Sequence, residues 1–142
     1  MNRLVSFQID GGTYGIDALS VIEILRPQAL TPVPRAPASV AGLLNLRGQI
    51  IAAISLRERL GLEGRPDGMN IIVRTPEGPA SLLVDRIGDV LACDPAQWSL
   101  PPDTLPAALR GLVVGSYHFP DRLLLVVDAD HAAHPEGTGG LS

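Results

Sequence analysis

The alternation of apolar and polar residues is sharpest between Ala41 and Leu62. From Gly42 to Leu56 every even position is apolar or Gly, while Asn45, Arg47, Gln49 and Ser55 take odd positions. That is the period of a half-buried strand, with the even positions facing the core. The run is much longer than a mean strand of about 5 to 6 residues. It therefore predicts a tight turn at Arg47-Gly48, where Gly supplies backbone freedom and Arg47 is left exposed at a corner. Ser55 with Glu58 three residues later is the capping-box pattern of a helix start, and Gly61 stops that helix.

The rest of the chain is mainly strand and turn. Leu4 to Ile9, the turn Asp10-Gly11-Gly12 and Thr13 to Ile16 predict an opening hairpin. Asp17 ends it and can cap the next segment, in which Leu19 to Leu25 fits a turn of amphipathic helix or an irregular strand equally well. Pro27, Pro32, Pro34 and Pro37 make residues 26 to 39 an extended surface connector. A second hairpin is expected from Met69 to Arg74 and Ala80 to Val84, continuing through an alternating Asp85 to Cys93. The Pro-rich segment from Asp94 to Pro106 reads as a packed loop around Trp98. Leu109 to Tyr117 and Arg122 to Val127 predict a last hairpin, with Leu123 to Val127 covered on both faces and Asp128 capping a final helical turn. Gly42 to Ser55 and Gly111 to Asp128 share one plan of Gly, strand, turn, apolar strand and capping residue. This internal repeat predicts two similar halves.

Composition narrows the function. The 142 residues suit one domain or two small subdomains, and 46% hydrophobic with 18% charged residues is globular. All eleven basic residues are scattered Arg and the net charge is −4, so no stripe exists to follow a phosphate backbone and no nucleic acid is expected. The single Cys93 excludes an intramolecular disulfide and fits a reducing compartment. No apolar run approaches the roughly 18 residues that span a bilayer, and the N-terminus meets charge too early for a secretory leader; a cytoplasmic protein without membrane insertion is expected. A chain without Lys has no phosphate-binding Gly-Lys loop. Cys93, His118 and Asp128 could be assembled into a thiol triad, and His131 with His134 into a metal site. Duller roles account for each of them: a buried thiol, a hairpin tip, a helix cap and a terminus. No enzyme and no cofactor is expected.

The segment Gly42-Leu-Leu-Asn45-Leu46-Arg47-Gly48-Gln-Ile50, with Ile54-Ser-Leu56-Arg57, resembles the signature of the CheW family of chemotaxis coupling proteins. The resemblance extends over residues 3 to 131, through Tyr14 to Asp17, Val21 to Ile24, Leu83 to Val90 and Gly111 to Val114. It implies a mainly β fold of two intertwined five-stranded Src-homology-3-like barrels with one or two short helices. One domain is expected over 1–133, and the composition of His134 to Ser142 reads as a frayed, flexible tail at 134–142. The implied function is a non-enzymatic adaptor between the cytoplasmic tip of methyl-accepting chemoreceptors and the regulatory domain of the histidine kinase CheA. Carried over residue by residue, receptor or kinase contact falls on Val21, Glu23, Gly42, Asn45, Arg47 and Gly48, with Ile87 and Val90 as further candidates in a matching segment. Glu23 and Arg47 are expected to pair across the surface.

Two departures from the family pattern stand out. Ser55 occupies a position where Asp is usual, and the element after the last strand is shortened to Asp128-Ala-Asp-His-Ala-Ala. Two rival readings remain. One is a CheW-like scaffold of an array controlling surface motility or biofilm formation. The other is an unrelated peptide-binding barrel, which would need an aromatic-lined groove that five aromatic residues scarcely supply.

Overall fold

The computed structural model describes residues 2–65 and 67–134. Eleven strands form two sheets: β1 (Asn2–Ile9), β2 (Gly12–Asp17), β3 (Val21–Leu25), β4 (Val40–Leu46), β5 (Gln49–Ser55), β6 (Met69–Thr75), β7 (Gly78–Val84), β8 (Arg86–Cys93), β9 (Trp98–Ser99), β10 (Val113–Phe119) and β11 (Arg122–Val127). Two short helices, α1 (Leu56–Arg59) and α2 (Ala129–Ala133), follow β5 and β11. The first sheet runs β8-β1-β2-β11-β10-β9 and the second β3-β6-β7-β5-β4. The chain is interwoven, since it opens in the first sheet, builds the whole second sheet and returns.

Each sheet encloses its own cluster, and a third cluster joins them. Leu4, Cys93, Tyr117, Leu124 and Val126 fill the first half; Leu44, Ile51, Ala53, Ile72 and Leu83 fill the second. Between them Phe7, Ile9 and Ile16 meet Ile54, Leu56, Ile71, Val73 and Leu82. Successive residues of a strand point to opposite faces, so Ile71 and Leu82 enter the shared core while neighbouring Ile72 enters the interior of its own half. Strands covered on both faces explain why β6 and β7 are apolar runs rather than alternations.

The even-numbered core face does not persist from Gly42 to Leu56. In β4 the buried residues are even, Gly42 and Leu44, but in β5 they are Ile51 and Ala53, and Ile50 is 60% exposed. The turn itself is the reason: a two-residue hairpin closing Leu46 on Gln49 places Leu44 opposite Ile51, so even positions face odd ones across it. At the end of β5, Ile54 and Leu56 are buried because the shared core covers the second face as well.

Other expectations shift in detail. Residues 18–25 form one 3₁₀ turn, Ala18–Ser20, capped by Asp17, and then strand β3. Trp98–Ser99, expected as loop, adds to β10 as a sixth strand of the first sheet. The last hairpin begins at Val113 rather than Leu109, after a 3₁₀ turn at Ala107–Leu109. Leu123 is 46% exposed, so cover on both faces starts at Leu124. The capping box is half made: Ser55 Oγ accepts the Glu58 N–H at 3.2 Å, while the Glu58 carboxylate turns to the Gly64 N–H. Shortened α2 still packs, with Ala129 and Ala132 in the shared core. His134 is docked rather than frayed, because Arg59 Nη1 donates to its carbonyl at 2.6 Å and its ring meets Glu77. The remainder of the expected tail lies outside the described residues.

The internal repeat is real, with its register moved by four residues. Bulges fall at Val40/Gly42 against Ile54/Ala53 and at Val113/Gly115 against Val127/Val126. The counterpart of Gly42 is therefore Gly115, not Gly111. Each half then pairs its last strand in parallel, β5 with β7 and β11 with β2, and caps a helix three residues on, from Ser55 and from Asp128. Each also lays a strap on its outer hairpin strand, Thr31 on Leu43 and Ser99 on Ser116.

Candidate functional site

The corner at Arg47-Gly48 is built by turn chemistry. Both residues have positive φ, 51° and 89°, the backbone that a two-residue hairpin needs to match strand twist. The Asn45 side chain accepts the Gly48 N–H at 2.7 Å, which stabilises the turn and leaves the Arg47 side chain 68% exposed. Asn, Arg and Gly here have separate tasks: holding, projecting and bending.

Arg47 Nη2 reaches Glu23 Oε1 at 2.6 Å and contacts Oε2 as well. This pair joins β4 to β3, the two opposite edges of the five-stranded sheet, and so draws that sheet toward closure. Glu23 shares a sheet face with Ile72, which lines the interior of this half. Its carboxylate is 24% exposed, at the mouth of that interior. Around it β3 presents Ile22 and Ile24, 45% and 39% exposed, and the preceding turn presents Leu19 at 82%.

The sequence-derived candidates separate into groups. Glu23, Asn45, Arg47 and Gly48 form one corner. Val21 lies on the same edge strand, half-buried against the shared core. Gly42 is buried, and a Cβ there would lie 2.7 Å from the Thr31 carbonyl oxygen, so it admits the strap that backs β4 instead of offering a surface. Ile87 and Val90 are on β8, the edge of the other sheet, half-buried and 60% exposed respectively. The repeat relates the two groups: Val21 faces Val73 and Ile24 faces Ile71 just as Ile87 faces Phe7 and Val90 faces Val5. Thr31, Leu19 and Ile22 were missed in the sequence. A glycine inside an otherwise apolar strand, Gly42, was the available sign of a close backbone approach, and exposed apolar residues on an edge strand have no sequence sign distinct from core.

The groups considered for chemistry have separate partners. Cys93 is fully buried, and desolvation raises its thiol pKa, which suppresses thiolate. His118 bonds Ser99 Oγ at 3.1 Å, and Asp128 caps α2 while meeting His131 Nδ1 at 2.6 Å. His134 is held by the Asp130 carbonyl and by Glu77, hydrogen bonds that raise its pKa. Among the described residues no group of three His, Cys, Asp or Glu side chains is placed to hold a metal ion.

A double-sheet fold with an edge-joining Arg–Glu corner and no assembled chemistry is what comparison with known proteins then places. The model of the CheW-like domain matches residues 3–135. The chain belongs to the CheW-like domain family. The chemotaxis protein CheW of Treponema pallidum is 32% identical over 133 residues, covering 89% of this chain and 78% of the relative. The CheW of Thermotoga maritima is 30% identical, with 90% and 85% covered. The crystal structure of the scaffolding protein TtCheW from Thermoanaerobacter tengcongensis superposes with a TM-score of 0.84 at 27% identity, covering 96% of this chain and 94% of that one. The CheW-like chain is accordingly a non-enzymatic chemotaxis scaffold. Among the described residues it has no helix long and apolar enough to cross a membrane.

Proposed function

We propose that this chain couples the cytoplasmic tip of methyl-accepting chemoreceptors to the regulatory domain of the histidine kinase CheA. It would act in the cytoplasm and reach the membrane only through those partners. The receptor face is the corner of Glu23, Asn45, Arg47 and Gly48 with Val21 beside it, and Gly42 shapes that corner from beneath. The kinase face includes the β8 edge at Ile87 and Val90, where unpaired strand backbone and an exposed Val favour association. The observation that carries the reading is the Glu23–Arg47 pair bridging both edges of one sheet. An exposed pair is worth only about 0.2 to 1 kcal/mol, so its use is to orient the groups around it. The two halves act as one unit through the shared core.

The test is a pull-down of wild type and Arg47→Glu against a receptor tip and a CheA regulatory domain from the same organism. Wild type binds both; Arg47→Glu keeps the kinase domain, loses the receptor tip and melts within a few degrees of wild type. An unfolded variant, or one that still binds the receptor tip, would refute the assignment. Binding of neither by wild type would point to the partners of a different array.

A further inference from the structure

The repeat leaves two grooves of nearly equal volume, about 470 and 480 Å³, at equivalent places in the two halves. Trp98, Val114 and Asp128 border the first where Leu30, Ala41 and Ser55 border the second. Each groove thus lies between the strap, the bulge and the helix cap of its own half. Their chemistry differs. The second carries one acid and one base, Glu58 and Arg65, and no aromatic ring. The first carries two carboxylates, Asp17 and Asp128, with no basic residue on its lining.

Two aromatic residues, half-buried Trp98 and buried Tyr117, help to line the first groove. Trp98 and Tyr117 meet with ring centres 5.0 Å apart at 59°. Trp98 packs against Gly115 because Gly115 has no side chain, since a Cβ there would sit 2.2 Å from the indole. Asp17 spends Oδ1 on the Leu19 N–H, and Asp128 spends Oδ2 on His131. Among the described residues Asp17 Oδ2 and Asp128 Oδ1 have no hydrogen-bond partner. Free carboxylate oxygens in a groove that an indole also lines attract an organic cation. A guanidinium suits both, since it stacks flat on a ring and donates along its edge.

We propose that this groove receives an arginine side chain, flanked by apolar residues, from a signalling partner. That the arginine belongs to a protein partner rests on the adaptor reading above; the cation preference rests on the groove alone.

Trp98 is the only tryptophan in the chain, so its emission reports on the site directly. The probe is a capped leucyl-arginyl-leucine tripeptide, with its glutamine counterpart as control. The arginine peptide gives a saturable change in Trp98 emission, and the glutamine peptide binds about tenfold more weakly or worse. Asp17→Asn with Asp128→Asn abolishes the difference without unfolding, because Asn caps helices as well as Asp does; an unchanged melting temperature verifies this. The same double variant binds either the kinase domain or the receptor tip about tenfold more weakly than wild type. Equal binding of the two peptides, or no response of Trp98, overturns the cation site. Selective peptide binding with unchanged affinity for both partners overturns the protein occupant. If wild type binds neither partner, the adaptor reading and the occupant fall together, whereas failed peptide selectivity beside normal partner binding removes this groove alone.

Discussion

Replacing Arg57 with methionine removes a guanidinium that ties the second sheet to the first. Arg57 leaves α1 with a side chain only 10% exposed. Nη1 donates to Asp85 Oδ2 at 2.8 Å and Nε to the Glu63 carbonyl at 2.7 Å, while Nη2 lies 3.9 Å from Asp10. Asp85 stands between β7 and β8, and Asp10 in the turn joining β1 to β2, so the contacts span both halves. Methionine matches the length and helix propensity of the arginine stem, so little cavity opens. What is lost is the charge opposite Asp85. Removing one partner of a fully buried pair costs about 3 to 5 kcal/mol, because the other charge stays behind uncompensated.

Two features lower that figure here. Asp85 is 18% exposed, and its Oδ2 still accepts the Asp10 N–H at 2.8 Å. The Asp10 contact itself is with a side chain 58% exposed and adds at most a fraction of a kcal/mol. The expected cost is about 2 to 3 kcal/mol, or a fall of roughly 6 to 12 °C in Tm for a chain of this size. Urea unfolding followed by circular dichroism measures it, with the m value unchanged. Adding Asp85→Asn keeps an acceptor for the Asp10 N–H and removes the stranded charge, so the double variant recovers about 1 kcal/mol. A cost below about 1 kcal/mol for the single variant, or no recovery in the double one, would refute the buried-charge account.

Gly42→Ala should cost about 1 to 3 kcal/mol, since its Cβ would lie 2.7 Å from the Thr31 carbonyl oxygen; hydrogen exchange at the Thr31 and Leu43 amides should accelerate, and unchanged protection there would count against the strap. The His134–Glu77 contact should stabilise the chain fully below pH about 6.5, the ordinary histidine value, and fade as pH rises through the raised value of the folded state. The Tm gap between wild type and Glu77→Gln should therefore be present at pH 5.5 and close by pH 8.5, and an equal gap at both would rule the linkage out. Cys93 should react with a disulfide reagent only at the rate of unfolding, given its burial and raised pKa; reaction at the pace of a free thiol would contradict the packing.

Local chemistry carried much of this structure into the sequence. The Arg47-Gly48 corner, the Ser55 and Asp128 caps and the opening hairpin rest on residues within a few positions of one another, and each stands where turn and capping rules put it. Contacts between distant segments were legible only through family resemblance: nothing in the spacing of Glu23 and Arg47 announces an ion pair across 24 residues. The failures also have physical causes. The core face of β5 was misjudged because parity reverses through a two-residue turn. Strand β9 was missed because two residues in a Pro-rich segment have no period to read. The repeat was offset because its defining feature is a bulge, which exists only when two strands are paired.

The repeat also explains why the candidate receptor corner exists once and not twice. The two hairpin tips correspond, with Leu46 closing on Gln49 and Phe119 closing on Arg122. Edge strands β3 and β8 correspond as well, so Glu23 of one half and the stretch Gly88-Asp89 of the other both lie within their edge-strand bulges. In the second half the guanidinium stands within the turn and reaches across to Glu23. In the first half it is one position past the turn, where Arg122 lies over the Phe119 ring at 5.5 Å and meets Asp121 at 3.3 Å. Asp89 and Arg122 border a common groove, yet no ion pair joins them among the described residues. One half therefore has its edges tied by charge, and the other keeps β8 untied with Val90 exposed. A shift of two positions in where an arginine stands on otherwise equivalent hairpins, from the first turn residue at Arg47 to the counterpart of Gln49 at Arg122, is enough to give a duplicated fold two unlike faces, as a scaffold joining two different partners requires.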